Sequence, residues 1–593
     1  MLTKKSTQKS QKFIFISGGV ISGLGKGIVT SSVAMLLKAA GKKVSVLKAD
    51  MYLNLDAGTM NPLEHGEVFV TEDGMETDQD LGHYERFLNQ NLSKHNYFTM
   101  GQVYYDVIGR ERSLEFAGKC VEGNIHIPQE IISKIKAAAK KDDADIFLVE
   151  VGGTVGEYQN VMFFEAIRRM KQSDPDNVFL IHLVYLMVPS FLGEMKSKPA
   201  QASIYDLYKL GLQPNFVICR SEVALDDKRK KTISFNTGVR EDHIVAAPDV
   251  DSIYKIPLVL KEQGMDKLLL DDMGLRAKKG GLSNWSLLVK TIEKLETGGK
   301  VGGTAKLGKV GREVKIAIAG KYFTSGKFCL EDSYVCVIEA IKHACWGLGY
   351  KPSIKWFDVE KFEGATDSTL VKELGDYDGI IVPQGWGSRG VEGKLRVVQW
   401  AREHKVPYLG LCFGMQMAAI EYARNVLGLK GANSEESDAK TKYPVIHVMP
   451  NQKEYLEKKK YGGTIRLGAW PCVLTSGSVL AECYNDAVTK GIFDGKLKLA
   501  SHVFEDGGKN VVAERHRHRY EFNNEYRKKF EQAGFVISGT SPDGLLVEAI
   551  ELPKSVHPFF VGTQFHPEYK SRPLDPHPIF MGFIQSCCSK CSN

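Results

Sequence analysis

Short apolar runs at 13–16, 44–47, 146–149, 178–188 and 216–219 alternate with stretches whose apolar residues recur at helical spacing. Such runs, bounded by turn formers, read as buried strands, and their alternation with helices predicts parallel strands joined by crossovers. The pattern restarts at Val314-Lys315-Ile316-Ala317-Ile318-Ala319-Gly320 and continues through Gly379-Ile380-Ile381-Val382-Pro383. Between the two series lie Lys278-Lys279-Gly280-Gly281, a helical stretch at 285–295, and the pairs Gly298-Gly299 and Gly302-Gly303. Clustered glycine with lysine is the composition of a mobile connection. The expectation is an α/β protein with two doubly wound, mostly parallel sheets. The first domain covers 1–275, a linker with a short helix covers 276–312, the second domain covers 313–572, and a tail covers 573–593. No short internal repeat relates the halves.

At 593 residues the chain is too long for one core, and its 43% apolar and 25% charged content is that of a globular enzyme. The net charge of +7 suits an anionic small substrate, but lysine and arginine form no single stripe of the kind that binds nucleic acid. Lys228-Arg229-Lys230-Lys231 and Lys458-Lys459-Lys460 read as solvated faces. The polar, basic start has no apolar core of a secretory signal, and 178–188 is too short to span a bilayer. Eleven scattered cysteines imply reduced thiols and a cytoplasmic setting. Cys588-Ser589-Lys590-Cys591 has metal-site spacing without a second pair, so a mobile tail is expected there instead.

Two regions carry chemistry. Ser17-Gly18-Gly19-Val20-Ile21-Ser22-Gly23-Leu24-Gly25-Lys26-Gly27 lies between a strand and a helix at 28–39, the layout of a phosphate-binding loop. The glycines are displaced from the strict spacing, and Gly27 stands where a hydroxyl residue would hold magnesium. Carboxylates elsewhere must then help hold the ion. Glu150, at the end of an apolar strand, and Asp80 are the candidates. Far downstream, Tyr408-Leu409-Gly410-Leu411-Cys412-Phe413-Gly414-Met415-Gln416 reads as a strand turning tightly into a helix at 415–424, with Gly410 and Gly414 permitting the turn. Gln564-Phe565-His566-Pro567-Glu568 supplies a base and its orienter for the Cys412 thiol.

Ser17 to Gly27, Leu47-Lys48-Ala49-Asp50, Pro62-Leu63-Glu64-His65-Gly66-Glu67-Val68-Phe69-Val70-Thr71-Glu72-Asp73-Gly74, the segment 148–156 and Val250-Asp251-Ser252-Ile253-Tyr254-Lys255-Ile256-Pro257 together resemble the CTP synthase family. The likeness extends through the second half to about His566. It implies a P-loop, Rossmann-like synthetase joined to a class I glutamine amidotransferase. In that family ATP phosphorylates the 4-oxygen of UTP, and ammonia from glutamine displaces the phosphate. Gly23, Leu24, Gly25, Lys26 and Gly27 are then the ATP loop, Lys48 meets the transferring phosphoryl group, and Asp80 and Glu150 bind Mg²⁺. Lys196, Lys198, Gln201 and Lys231 match the UTP-binding segment, although Ser197 and Ala200 stand where threonine is usual. Cys412, His566 and Glu568 form the glutaminase triad. Gly385, Trp386, Gln416, Glu436 and Arg519 contact glutamine, with Arg519 on its carboxylate.

Pro383-Gln384-Gly385-Trp386-Gly387-Ser388-Arg389-Gly390 resembles the family's oxyanion turn, with Gln384 in place of glycine and Trp386 in place of phenylalanine. The non-glycine questions any need for positive φ at 384. The resemblance also implies an ammonia tunnel, GTP activation, CTP feedback at a site overlapping that for UTP, and a homotetramer; filaments are left open. Two rivals remain: a ligase of the same two modules that amidates a carboxylate, and a catalytically dead filament scaffold. The phosphate-binding lysines oppose the first, and the retained Lys26, Asp80, Glu150, Cys412 and His566 oppose the second. The basic run Arg515-His516-Arg517-His518-Arg519 reads only weakly as a nucleic-acid contact, and the lysine-rich stretch 441–460 reads as a surface insertion.

Overall fold

A computed structural model describes residues 11–278, 280–297, 312–322, 324–325, 328–329, 331–458, 461–484, 503–506 and 509–589. Lys279, the glycines at 298, 299, 302 and 303, Lys459, Lys460, Lys590 and Cys591 lie outside these residues. The chain divides into two compact units: 1–56 with 83–286, and 57–82 with 287–593.

The first unit is built on a seven-stranded sheet in the order Tyr97–Thr99, Val44–Asp50, Ile146–Val151, Lys12–Gly18, Val178–Tyr185, Phe216–Ser221, Ile244–Pro248. Every neighbouring pair is parallel. Phe13, Ile14, Phe15 and Ile16 are all buried, which explains why this strand reads as an unbroken apolar run. The strand expected over 178–188 ends at Tyr185; Leu186, Met187 and Val188 lie beyond it, just before Pro189. Helices such as Val161–Ser173 pack their apolar face onto the sheet through Phe163, Phe164, Ile167 and Met170. Strand Lys12–Gly18 is central, so the loop that follows it opens at the carboxyl edge of the sheet, where ligands bind in this architecture.

The helix expected at 285–295 spans Ser283–Glu296. Its start is no free linker: Trp285 is buried, its indole N–H donates to Tyr254 O (2.8 Å), and its ring packs against Phe87.

The second unit carries a ten-stranded mixed sheet. Lys351–Asp358, Glu313–Gly320, Gly379–Val382, Tyr408–Leu411 and Phe560–Thr563 are parallel. Val547–Glu551, Val536–Thr540, Arg466–Leu474, Lys509–His518 and Val503–Asp506 continue it antiparallel. The expected tail is corrected. Pro578–Ser589 is a helix whose Ile579, Phe580, Phe583, Ile584 and Cys587 sit in the core beside Ile316, Ile341 and Ile381. Apolar residues at helical spacing there outweigh the tail reading taken from the CxxC and the polar end. The surface-insertion reading of 441–460 is corrected for its first part, while the short helix Lys453–Glu457 has no buried residue. Tyr443–Val448 is a strand paired with Ala432–Ser434 and with Tyr520–Phe522, and Val445 and Ile446 are buried.

The segment 57–82 belongs to this second unit, although it lies within the first half of the sequence. Its hairpin, Val68–Val70 with Glu76–Asp78, is fixed by the arginine strand. Arg515 Nη1 donates to Val70 O (3.0 Å), and Arg517 Nε donates to Glu76 Oε1 (2.9 Å). Tyr569 OH donates to Val68 O (2.9 Å). Arg515 and Arg517 are therefore buried structural groups, not a nucleic-acid surface.

Candidate active sites

In the first unit the phosphate loop runs from Lys12–Gly18 to the helix Lys26–Ala39. Gly23 (φ 70°) and Gly25 (φ 77°) adopt the left-handed conformation that glycine takes without strain, and Gly25 caps the helix with no side chain over its N–H groups. That open helix start suits a phosphate. Leu24 O accepts from Arg220 Nη1 (3.2 Å), and Gly27 is buried in the first turn. Lys26 Nζ donates to Gly153 O (2.7 Å), which holds the ammonium against the loop.

Sequence reasoning missed His182. It bridges Ser17 Oγ (2.9 Å), at the base of the loop, and Ser203 Oγ (2.8 Å), on the helix Lys198–Lys209. Burial, with Lys26 adding, lowers its pKa to about 3, so the bridge is a neutral imidazole.

At the carboxyl ends of two adjacent strands, Lys48 Nζ lies 3.0 Å from Glu150 Oε1 and 3.9 Å from Asp50 Oδ1. Tyr84 OH also donates to Glu150. All four side chains are buried. Carboxylate oxygens of this kind fit Mg²⁺, a hard ion that takes few protein ligands. Asp50 was not singled out by sequence. Asp80, in the 57–82 segment, opens the helix Asp80–Leu88, and its N–H donates to Asp78 Oδ1 (2.8 Å).

The proposed nucleotide segment is also ordered. Lys196 pairs with Glu194 (3.0 Å), and Lys198 starts the helix that carries Gln201. Asn236 Nδ2 donates to Gln201 Oε1 (3.0 Å), tying that helix to Asp227–Thr237, which carries Lys231.

In the second unit, Cys412 stands between strand Tyr408–Leu411 and helix Phe413–Asn425 with φ 50° and ψ −99°. A side chain rarely tolerates that conformation, so the site carries backbone strain at the turn that presents the thiol to its cavity. A Cβ on Gly410 would lie 2.7 Å from Gly414 C, and one on Gly414 would lie 1.9 Å from Val382 O; only glycine fits at either place.

His566 Nδ1 lies 2.7 Å from Glu568 Oε1, and Tyr569 stacks on the imidazole (4.9 Å). Burial alone would lower the His566 pKa, but the Glu568 carboxylate and then Cys412 outweigh it, raising it to about 10. Gln564, which sequence did not mark, points its Nε2 at Cys412 Sγ (3.5 Å).

Gly385, Trp386, Gln416, Glu436 and Arg519 line one cavity together with Cys412 and His566. Gly387 N–H donates to Glu436 Oε1 (2.7 Å), and burial pushes the Glu436 carboxyl above its ordinary range. Gln416 Nε2 donates to Tyr520 O (2.9 Å) and Arg519 Nη2 to Thr464 Oγ1 (2.9 Å). Gln384 has no positive φ; Gly387 (74°) and Gly390 (71°) take that conformation in the turn. Gln384 instead donates from Nε2 to Glu67 Oε1 (2.6 Å), and Trp386 lies under the Arg517 guanidinium (5.6 Å).

Both halves of the chain match known families. The CTP synthase N-terminus family matches residues 12–275, and the class-I glutamine amidotransferase family matches 329–586. A CTP synthase of Herpetosiphon aurantiacus is 46% identical over 576 residues, covering 97% of this chain and 98% of the relative. One from Bacillus subtilis is 43% identical over 574 residues, covering 97% and 98%. Among solved structures, the Trypanosoma brucei CTPS glutaminase domain with bound acivicin is 33% identical and covers 46% of this chain and 94% of its own, with a TM-score of 0.39. Matched along nearly its whole length, the chain belongs to the CTP synthase family, whose members are glutamine-hydrolysing ligases.

Proposed function

We propose that ATP-driven, glutamine-dependent CTP synthesis runs here through two centres. In the first, the 23–27 loop and Lys26 hold the ATP phosphates, and Lys196, Lys198, Gln201 and Lys231 hold UTP. The UTP 4-oxygen attacks the γ-phosphorus, ADP leaves, and Lys48 offsets the charge on the phosphoryl group in flight. Such transfer depends on positioning and cations more than on covalent chemistry. Asp80 and Glu150 hold Mg²⁺, which when bound neutralises phosphate charge. Ammonia then adds at C4 and expels phosphate, giving CTP.

In the second centre, His566 takes the Cys412 proton and the thiolate attacks the glutamine carboxamide. The oxyanion is met by backbone N–H groups, and His566 returns the proton to the departing nitrogen as ammonia leaves. Water then cleaves the thioester to glutamate. Arg519 pairs with the glutamine carboxylate, while Gly385, Trp386, Gln416 and Glu436 shape its pocket. Ammonia reaches the first centre through a tunnel, without release to solvent. GTP activates hydrolysis, CTP competes with UTP, and the working form is a homotetramer in the cytoplasm.

The observation that most supports this reading is the strained Cys412 elbow sharing a cavity with His566 and all five proposed glutamine contacts. The test supplies Mg²⁺, ATP and UTP with either glutamine or ammonium and follows CTP. CTP from both nitrogen sources, with only the glutamine reaction lost in Cys412→Ala, is the expected result. No CTP from ammonium in the folded protein would overturn the UTP assignment.

A further inference from the structure

Two buried lysines lie against the oxyanion turn, and the reaction steps do not use them. Lys321 follows strand Glu313–Gly320, and Lys394 is on helix Val391–Glu403. Both are almost wholly buried: 2% and 0% exposed. A lysine amino group out of water costs stability unless it is hydrogen-bonded.

Their contacts converge on one short stretch of backbone. Lys394 Nζ donates to Pro383 O (2.8 Å), on the near side of the turn. Lys321 Nζ donates to Gly387 O (2.9 Å) and Arg389 O (3.2 Å), on the far side. Gly385 lies between them so closely that a Cβ there would meet Lys321 Cε at 2.8 Å and Lys394 Nζ at 3.4 Å. Both amino groups also face the ring of Phe413, at 4.7 and 4.9 Å from its centroid. Phe413 directly follows the nucleophile and is the first residue of its helix, so its N–H lies outside the helical ladder.

The donors available to an oxyanion can be narrowed further. Trp386 N–H is held by Tyr322 OH (2.9 Å) and Gly387 N–H by Glu436. Among the described residues no acceptor meets the N–H groups of Gly385 and Phe413, the two residues the lysines press upon. We propose that Lys321 and Lys394 are positioning residues for acyl transfer, pinning the turn on both sides and the Phe413 ring so that the N–H groups of 385 and 413 converge on the tetrahedral oxyanion. This rests on the Cys412 glutaminase reading.

Positioned donors matter when a carbonyl becomes tetrahedral, and not in a direct displacement at carbon. The experiment therefore compares two reactions of Cys412 in the full-length protein: glutamine hydrolysis and alkylation by iodoacetamide. Lys321→Met and Lys394→Met are each expected to lower kcat for glutamine roughly 10²-fold, the scale of losing one oxyanion donor. The glutamine KM, the alkylation rate and ammonium-dependent CTP synthesis stay within about twofold to threefold on the same reasoning. Lys321→Arg retains more activity than Lys321→Met.

Hydrolysis near the wild-type rate in both methionine variants overturns the proposal. So does a parallel loss of alkylation, which assigns the lysines to the thiolate or to folding. If wild type hydrolyses no glutamine, or Cys412→Ala still does, the glutaminase reading itself falls, and the cysteine control separates that failure from failure of the lysine proposal alone.

Discussion

His566 Nδ1 and Glu568 Oε1 are 2.7 Å apart, with both side chains closed off from solvent. Burial pulls the imidazole towards neutrality, and the adjacent carboxylate reverses that, raising the pKa to about 10. Because the folded value is raised, the pair's stabilisation is fully present below the unfolded value of about 6.5 and is lost as pH rises through the folded one. His566 therefore contributes no activity limb between about pH 6 and 9. In Glu568→Gln the largest raising influence is gone, and the His566 pKa falls back towards its ordinary value of 6.5. Glutamine hydrolysis near neutral pH should fall on the order of 10²-fold or more, with a new limb inside that window. kcat/KM for glutamine measured across the range checks this, with ammonium-dependent CTP synthesis as the folding control. An unchanged profile in the variant would remove Glu568 from its role.

Lys48 and Glu150 are each other's partners at 3.0 Å on adjacent parallel strands. Lys48→Met removes the cation proposed to meet the phosphoryl group, and CTP formation from ammonium should drop roughly 10³-fold. It also withdraws this cation from the buried Glu150, at a stability cost of about 3 kcal/mol. Glutamine hydrolysis assayed without nucleotides should survive in the variant. Chelating Mg²⁺ from wild type should reproduce that split, abolishing CTP while hydrolysis persists. Equal loss of both activities on chelation would place the ion's role elsewhere.

The features legible in the sequence are those where local constraint and chemistry coincide. Gly23 and Gly25 mark backbone that only glycine adopts easily, and Cys412 between Gly410 and Gly414 marks a turn with no room for other side chains. Parallel strands buried on both faces announce themselves as apolar runs. What stayed hidden depends on long-range packing. Nothing near Lys321 or Lys394 indicates that their stems are buried and their amino groups face backbone carbonyls. Arg515 and Arg517 look like a surface patch until Val70, Glu72 and Glu76, more than four hundred residues away in sequence, arrive as partners. The helix Pro578–Ser589 is masked in the sequence because cysteines and a polar end follow the helically spaced Ile579, Phe580, Phe583 and Ile584. His182 was invisible for the same reason as the lysines: its two serine partners lie on separate elements.

Gln384 stands where the sequence resemblance implies glycine, and its contacts say what the glutamine does there. Its φ is not positive, so glycine would gain nothing locally and would lose more entropy on folding, about 0.5–1 kcal/mol. Gln384→Gly also removes the donor 2.6 Å from Glu67 Oε1, a buried carboxylate whose other oxygen accepts from Cys336 N–H at 2.7 Å. Losing one bond to a charged group adds roughly 1.5 kcal/mol or more. The sum, about 2 kcal/mol, should lower the thermal transition of the second unit by several degrees. Gly385 keeps its place against Lys321 and Lys394, so the turn itself should persist and glutamine hydrolysis should change by less than about fivefold. Calorimetry paired with a glutaminase assay tests both halves. A large catalytic loss without a shift in the transition would mean that the Gln384 amide serves the reaction directly and not the anchoring of Glu67.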